Sequence, residues 1–481
     1  MGTTDADFVL LKADVIQVIT PEQAWHYRVI PVSNEGAHWL FYVDESIYQS
    51  DLSDELEILL GISIVLEKKQ NELIKNTLNR YYRQDQKENR MQAAKAFEGK
   101  SDDFLKDIIG EAKRIRSSDI HIETYQDRCR VRMRIDGMLV ERYVLTKEEY
   151  PSLINKIKIM SNLDIAEKRL PQDGRIFFNE PGSGKFDIRV SVLPTLHGEK
   201  AVLRLLSNDA TNIDINKLGF AEDDLDNYLE GVKRPEGMVL ISGPTGSGKT
   251  TTLYATLKLL NNDTRNITTI EDPIEYTLEG INQVQLRENI GLNFGSTLRT
   301  FLRQDPNIIM VGEIRDPDTA SMAIRTSLTG HLVLSTIHTN SAWGTISRLV
   351  DMGIPPFLVA TTLNTSVAQR LIRLLCPHCK QKEEVTTKLF PKKFKPYRSV
   401  SHHYVAKGCN ECYHTGYKGR KAVYEVIPID EELAECIKNS NFAVGDLLKQ
   451  KGIKTLSENA FELFEQGQTT MEEVYPLLIN F

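Results

Sequence analysis

Residues Gly243, Pro244, Thr245, Gly246, Ser247, Gly248, Lys249 and Thr250, with Thr251 after them, place glycines, a lysine and a hydroxyl at the spacing G-x-x-x-x-G-K-[ST]. That pattern binds phosphate, because glycines let backbone N–H groups close on phosphate oxygens and a following helix adds its positive dipole end. Lys249 would reach the β- and γ-phosphates of ATP, and the Thr250 hydroxyl would hold Mg²⁺. The surroundings agree: an apolar run from Met238 to Ser242 predicts a strand before the loop, and Thr250 to Leu260 predicts a helix after it.

Phosphate binding becomes hydrolysis when a carboxylate can act on water. Ile308 to Val311 forms an apolar strand followed by Gly312 and Glu313, so a glycine stands where an acidic motif of this kind usually carries aspartate. Glu313 is left to polarise the attacking water or to hold the metal's water shell. Upstream, Thr269 to Glu275 carries Glu271, Asp272 and Glu275 after another predicted strand, and one of these could supply what Gly312 lacks. His331 and His338 flank a further short strand and could belong to the same site.

A second chemistry is written in cysteine. Cys376 and Cys379 form one C-x-x-C pair, and Cys409 and Cys412 form another after 29 intervening residues. Four thiolates can close a tetrahedral structural zinc site, although iron–sulfur ligation and free thiols are the other readings of the same residues. The gap is longer than a usual zinc ribbon, but loop closure entropy grows slowly with length. His378 and His414 stand beside the pairs as bystanders.

These residues need a scaffold larger than one domain, and 481 residues supply about three. Residues 1–82 mix strand and helix patterns in a small α/β domain, and 83–101 is a charge-rich linker. Residues 102–207 form an α+β domain in which Arg130, Arg132 and Arg134 alternate with apolar residues on one strand, and Asp136-Gly137 predicts a tight hairpin turn. Asp102 and Asp103 are read as caps of its first helix. After a polar linker at 208–217, residues 218–481 alternate short apolar runs with helices, predicting parallel βα units whose motifs sit at the strands' carboxyl ends. The cysteines fall within 374–420 of this last part. A net charge of −7 weighs against a nucleic-acid partner. No apolar stretch approaches the roughly 20 residues of a membrane span, and the opening residues show no secretory signal, so a cytoplasmic location is expected. A reducing compartment weighs against disulfides as the use of the six cysteines.

The segments GPTGSGKTT, TIEDPIEY, IIMVGEIRD and GHLVLSTIHTN, in this order, resemble the Walker A, Asp box, Walker B and His box of the type II secretion and type IV pilus assembly ATPases. The resemblance runs from about residue 100 to 425 and more weakly before that. It implies an α/β fold: a RecA-like P-loop core with a preceding PAS-like α+β domain, a small amino-terminal α/β domain and a four-cysteine zinc module. It also gives the arginines a role. Read alone, they are salt-bridging or RNA-like surface residues; in the family, Arg189 and Arg204 match arginines that reach the nucleotide from the preceding domain, and Arg299 and Arg303 match core arginines nearby. The family's Walker B likewise carries Gly-Glu, and its secretion and extension members carry the four-cysteine module. A homohexamer at the cytoplasmic side of the inner membrane is implied, held peripherally by a membrane-anchored platform protein that docks on the amino-terminal domain. Secretion is the preferred reading, pilus extension the next; a nucleic-acid motor and a non-hydrolysing nucleotide-binding scaffold are the readings from other classes.

Overall fold

Side chains along Cys129–Ile135 alternate between buried and half-buried at every step, so Cys129, Val131, Met133 and Ile135 enter a core while Arg130, Arg132 and Arg134 line the opposite face. Asp136 (φ 48°) and Gly137 (φ 88°) both take positive φ, as a two-residue type I′ hairpin turn requires, and lead into Met138–Leu145. The computed structural model describes residues 9, 11, 15, 18–34, 38–48, 51–82, 95–96, 101–180, 184–206, 213–386 and 389–479. Most of the linker expected at 83–101, the first part of that expected at 208–217 and the opening heptapeptide lie outside them. Among the described residues no helix is long and apolar enough to cross a membrane.

The chain divides into two compact units, 1–95 and 96–481. In the first, Trp39–Asp44 is the central strand, antiparallel to Val29–Asn34 and parallel to Ile64–Lys69. The helices Leu52–Leu60 and Asn71–Tyr81 cover it, burying Leu56, Ile74 and Leu78 with Phe41 and Tyr82.

The second unit holds two large sheets. The hairpin just described belongs to an antiparallel sheet whose six longest strands run in the order Met138–Leu145, Cys129–Ile135, Asp119–Thr124, Gly198–Leu206, Gly184–Thr195, Gln172–Glu180. The helices Ser101–Arg114 and Tyr150–Met160 supply Leu105, Ile108, Ile109, Leu153, Ile154 and Ile157 to its core. The first helix begins at Ser101, so Asp102 and Asp103 lie inside its first turn rather than before it, which corrects their reading as caps.

The other sheet runs Asn282–Gln285, Ile267–Glu271, Ile308–Val311, Leu332–Ile337, Gly237–Ser242, Leu363–Leu375, Tyr417–Pro428. Its first six strands are parallel, and their inner members are buried at every position, as expected for a sheet covered on both faces. The seventh departs from the all-parallel expectation: Tyr417–Pro428 is antiparallel to Leu363–Leu375, pairing Thr365 with Pro428 through to Arg373 with Arg420. The long connection between these strands carries the cysteine pairs, so the chain returns along its own path. Register aligns the carboxyl ends: Ser242 stands opposite Ile337 and Ala368, Val311 opposite Ser335, and Ile270 opposite Val311. One rim therefore collects the P-loop, the acidic segments and His338.

Candidate nucleotide site and cysteine cluster

The P-loop leaves its strand at Gly243 and enters the helix Lys249–Leu260 at Gly248, whose φ of 90° suits glycine. A side chain at Gly248 would also lie 2.8 Å from Gln369 Nε2, so the loop can pass the neighbouring strand only without one. Gln369 is buried and accepts a bond from Thr252 Oγ1 (3.0 Å), which ties the P-loop helix to that strand. Lys249 Nζ donates to the carbonyls of Gly243 (2.7 Å) and Pro244 (3.1 Å). Burial pushes its ammonium below the ordinary lysine range, the Glu313 carboxylate draws it partly back, and Arg370 pushes it down again. Ser247 Oγ is buried with no hydrogen-bond partner among the described residues. A tight loop with an unsatisfied hydroxyl and a lysine resting on carbonyls fits a phosphate chain, which would give each a stronger partner. Pro244, Thr245, Gly246, Thr250 and Thr251 are exposed around the mouth of the loop.

Gly312 has a packing reason. A Cβ there would meet the Ile270 carbonyl at 3.2 Å and Glu271 Cα at 3.3 Å, so the usual aspartate is disfavoured between these two strands. Its carbonyl accepts from Thr336 Oγ1 (2.9 Å), fixing the exit of the chain towards Glu313. The Glu313 carboxylate lies between His338 Nε2 (3.4 Å) and Arg315, to which it is hydrogen-bonded, and Arg315 is raised above its ordinary range chiefly by that bond. Glu313, His338 and Lys249 therefore occupy one rim. His331 sits at the other end of its strand, with Nδ1 3.1 Å from the Thr326 carbonyl and from Thr329 Oγ1, so one histidine of the pair faces the site.

The acidic segment divides its duties. Glu271 is buried; it accepts from Tyr254 Oη, from Thr269 Oγ1 (2.6 Å) and from Gln283 Nε2 (3.0 Å), which fills both of its oxygens. That arrangement ties three chain segments together and commits both carboxylate oxygens to buried partners. Glu275 lies 3.7 Å from Arg189 Nη1, and Arg189 Nη2 donates to the Ile274 carbonyl (2.6 Å), so an arginine of the antiparallel sheet reaches the acidic segment of the core. Asp272 is the exposed acid of the group and acts electrostatically on Arg315, placing it on the Glu313 side. Sequence reasoning weighed Asp272 only as one of three acids and passed over Arg315, although Arg315 is two residues from Glu313.

Arg204 is anchored through Nε to Asp119 Oδ1 (3.0 Å), with its side chain 60% exposed. Arg130 and Arg132 share Glu123 (3.1 and 2.8 Å), Lys200 joins them at 3.0 Å, and Arg134 pairs with Asp119 at 3.2 Å. Burial alone would raise Glu123, yet bonds from Arg132 and Lys200 hold it at about 2. Every cation of this ladder has a carboxylate partner, which favours salt bridges over an RNA-binding face. Arg299 is exposed in the last turn of Phe294–Phe301, and Arg303, just beyond, donates to the Arg299 carbonyl (3.1 Å). Neither pairs with a carboxylate among the described residues.

The four cysteines converge with all their Sγ atoms within 4.8 Å of one another. Cys376 and Cys409 are 3.9 Å apart, Cys379 and Cys412 3.8 Å, Cys409 and Cys412 3.7 Å. A tetrahedral ion with metal–sulfur bonds of about 2.3 Å separates its sulfurs by roughly 3.8 Å, so the donor set fits zinc. Backbone N–H groups of Cys409 and Gly416 point at Cys412 Sγ (3.2 Å each), the partners a thiolate would use. The long gap is closed by a hairpin, Lys380–Glu384 against His402–Ala406, whose register brings Lys380 opposite Ala406. The cluster also meets the antiparallel sheet: the Gly419 N–H donates to Asp136 Oδ2 (2.7 Å), and the Arg142 guanidinium lies 5.1 Å from the Tyr413 ring centre.

A mixed sheet with a P-loop at its rim, beside a glutamate and a histidine, defines the RecA-like ATPase class. A family model described as Type II/IV secretion system protein matches residues 95–476, and the chain belongs to that family. It is 41% identical over 502 residues to the type IV pilus assembly ATPase PilB of Myxococcus xanthus, covering 96% of this chain and 86% of that one. It is 45% identical over 374 residues to the type II secretion system ATPase E of Vibrio cholerae, covering 76% and 73%. Among solved structures, the pilus retraction motor PilT with bound ADP superposes with a TM-score of 0.52 at 28% identity, over 77% of this chain and 95% of that one.

Proposed function

We propose that this chain works as a homohexamer that hydrolyses ATP to drive pseudopilus assembly and protein export by a type II secretion system. The carrying observation is the single rim that holds Lys249, Glu313 and His338 within electrostatic reach, with Arg189 arriving from the other sheet. Backbone N–H groups of the P-loop and Lys249 would receive the phosphates, and the Thr250 hydroxyl would hold Mg²⁺, whose charge offsets that developing on the phosphates. Glu313 would orient and polarise the attacking water, with His338 and Arg315 fixing its carboxylate. Arg189, Arg204, Arg299 and Arg303 would serve the phosphates at a subunit junction, and Glu275 would release Arg189 for that role. Glu271 would act as a structural tether. Cys376, Cys379, Cys409 and Cys412 would hold a structural zinc ion. The chain is read as a small amino-terminal domain (1–82) that docks on a membrane-anchored platform protein at the inner membrane, an arginine-bearing domain (102–207) and the ATPase core (218–481).

Type IV pilus extension is the second reading, supported by the match to the Myxococcus protein, which spans 96% of this chain against 76% for the Vibrio one. Deleting the gene separates the two: secretion predicts loss of exported enzymes from the medium with surface pili intact, and extension predicts bald cells. The assignment of these arginines to the phosphates fails if Arg189→Ala and Arg204→Ala both leave ATP turnover of the hexamer unchanged; it expects a loss of roughly 10³-fold for each.

A further inference from the structure

One cation at the rim is used by none of the four motifs. Arg370 follows Gln369 at the carboxyl end of the pairing between Gly237–Ser242 and Leu363–Leu375, so its backbone runs beside the start of the P-loop. Its guanidinium is half-buried, and its bonds go to backbone carbonyls: Nη1 to Gln369 (2.9 Å) and Nη2 to Asn340 (3.0 Å). Among the described residues no carboxylate lies within ion-pairing distance of it. Burial pushes it below the ordinary arginine range, and the carboxylate that draws it partly back, Glu425, has its two oxygens committed to the N–H groups of Ala342 (2.8 Å) and Leu456 (3.1 Å). The position is close to the phosphate loop: a Cβ on Gly243 would lie 3.1 Å from Arg370 Nη1 and 2.7 Å from the unpartnered Ser247 Oγ. Lys249 feels its charge.

A buried and a half-buried cation that rest on carbonyls beside an unsatisfied hydroxyl are an arrangement completed by an anion. We propose that Arg370 is a further phosphate-binding residue of the P-loop, which gives up its bonds to the Gln369 and Asn340 carbonyls to engage the terminal phosphate of ATP. Asn340 lies two residues beyond His338, so the exchange frees the His-box loop when the terminal phosphate is present and restrains it again when that phosphate is lost. Arg370 thereby distinguishes ATP from ADP and reports the difference to the segment that carries His338. The inference rests on ATP being the ligand of this loop.

The test uses the full chain and a fluorescent ATP analogue, with ADP measured by competition. Arg370→Gln is expected to weaken ATP about tenfold (about 1.4 kcal/mol) while ADP changes less than about twofold, and Arg370→Lys is expected to recover part of the loss. Equal affinities in wild type and variant, or a parallel loss of ATP and ADP, would overturn the role. If Arg370→Gln does not fold, hydrogen exchange of the wild type decides: residues 338–342 should exchange faster with the ATP analogue than with ADP, and identical exchange would refute the proposal. Failure of the wild type to bind either nucleotide would instead overturn the parent reading, which separates the two claims.

Discussion

Two clusters of cations lie in the same unit of this chain and are treated in opposite ways. On the antiparallel sheet, Arg130, Arg132, Arg134 and Lys200 each pair with Glu123, Glu141 or Asp119, so every one of these cations has a carboxylate partner within the sheet. On the rim of the parallel sheet, Lys249 and Arg370 are half-buried or more and hydrogen-bond to carbonyl oxygens. The first arrangement spends charge on stability. The second holds desolvated charge in readiness, which is stable only because the sheet's packing over-determines it, and it marks where an anion belongs.

Breaking each cluster should therefore give different losses. Lys249→Ala is expected to cost the most, lowering ATP turnover about 10³-fold, as losing a charge aimed at the transferring phosphate does in related chemistry; phosphate release by the purified protein reads it. Removing one carboxylate from the other cluster should leave turnover within about threefold and act on stability. Glu123→Gln, which strands Arg132 and Lys200, is expected to cost about 2 kcal/mol, discounted for their partial exposure, with faster hydrogen exchange in 119–135. The smaller effect is in pH. Because Glu123 is held at about 2, below its unfolded value, its stabilisation is present above about pH 4.5 and disappears as pH falls towards 2. The Glu123→Gln variant should accordingly lose less stability than wild type over that acid range, measured as unfolding midpoint against pH.

The cysteine cluster sharpens the same contrast, since its four thiols are placed by hairpin pairing rather than by charge. Chelation or Cys409→Ser is expected to lower the unfolding temperature by roughly 5 °C or more. It should also loosen the contact of Asp136 with Gly419, visible as faster exchange at the hairpin 135–138.

Local signals carried the sequence reading. The P-loop, the Gly312-Glu313 strand end, the Asp136-Gly137 turn and the two C-x-x-C pairs are each written within a few residues, and the fold places them as those residues imply. What escaped depends on pairing across long separations. Gln369 and Arg370 reach the P-loop because Ser242 pairs with Ala368, a register that no local pattern encodes. The signal was faint, because Gln369 and Arg370 are only two of several polar residues between Leu363 and Leu375. The antiparallel last strand was missed for the same reason, because its direction is set by the chain's return from the cysteine hairpin. Within the acidic segment, burial separates Glu271 from Asp272, and the spacing of three carboxylates gives no sign of which one is enclosed.

The central claim is that this rim turns bound ATP over through Glu313, and its most direct test measures nucleotide affinity and phosphate release on the same preparations of wild type and Glu313→Gln. Affinity should stay within about threefold while release falls at least about 100-fold. Release that is unchanged in the variant, or already absent in the parent with binding intact, would contradict it.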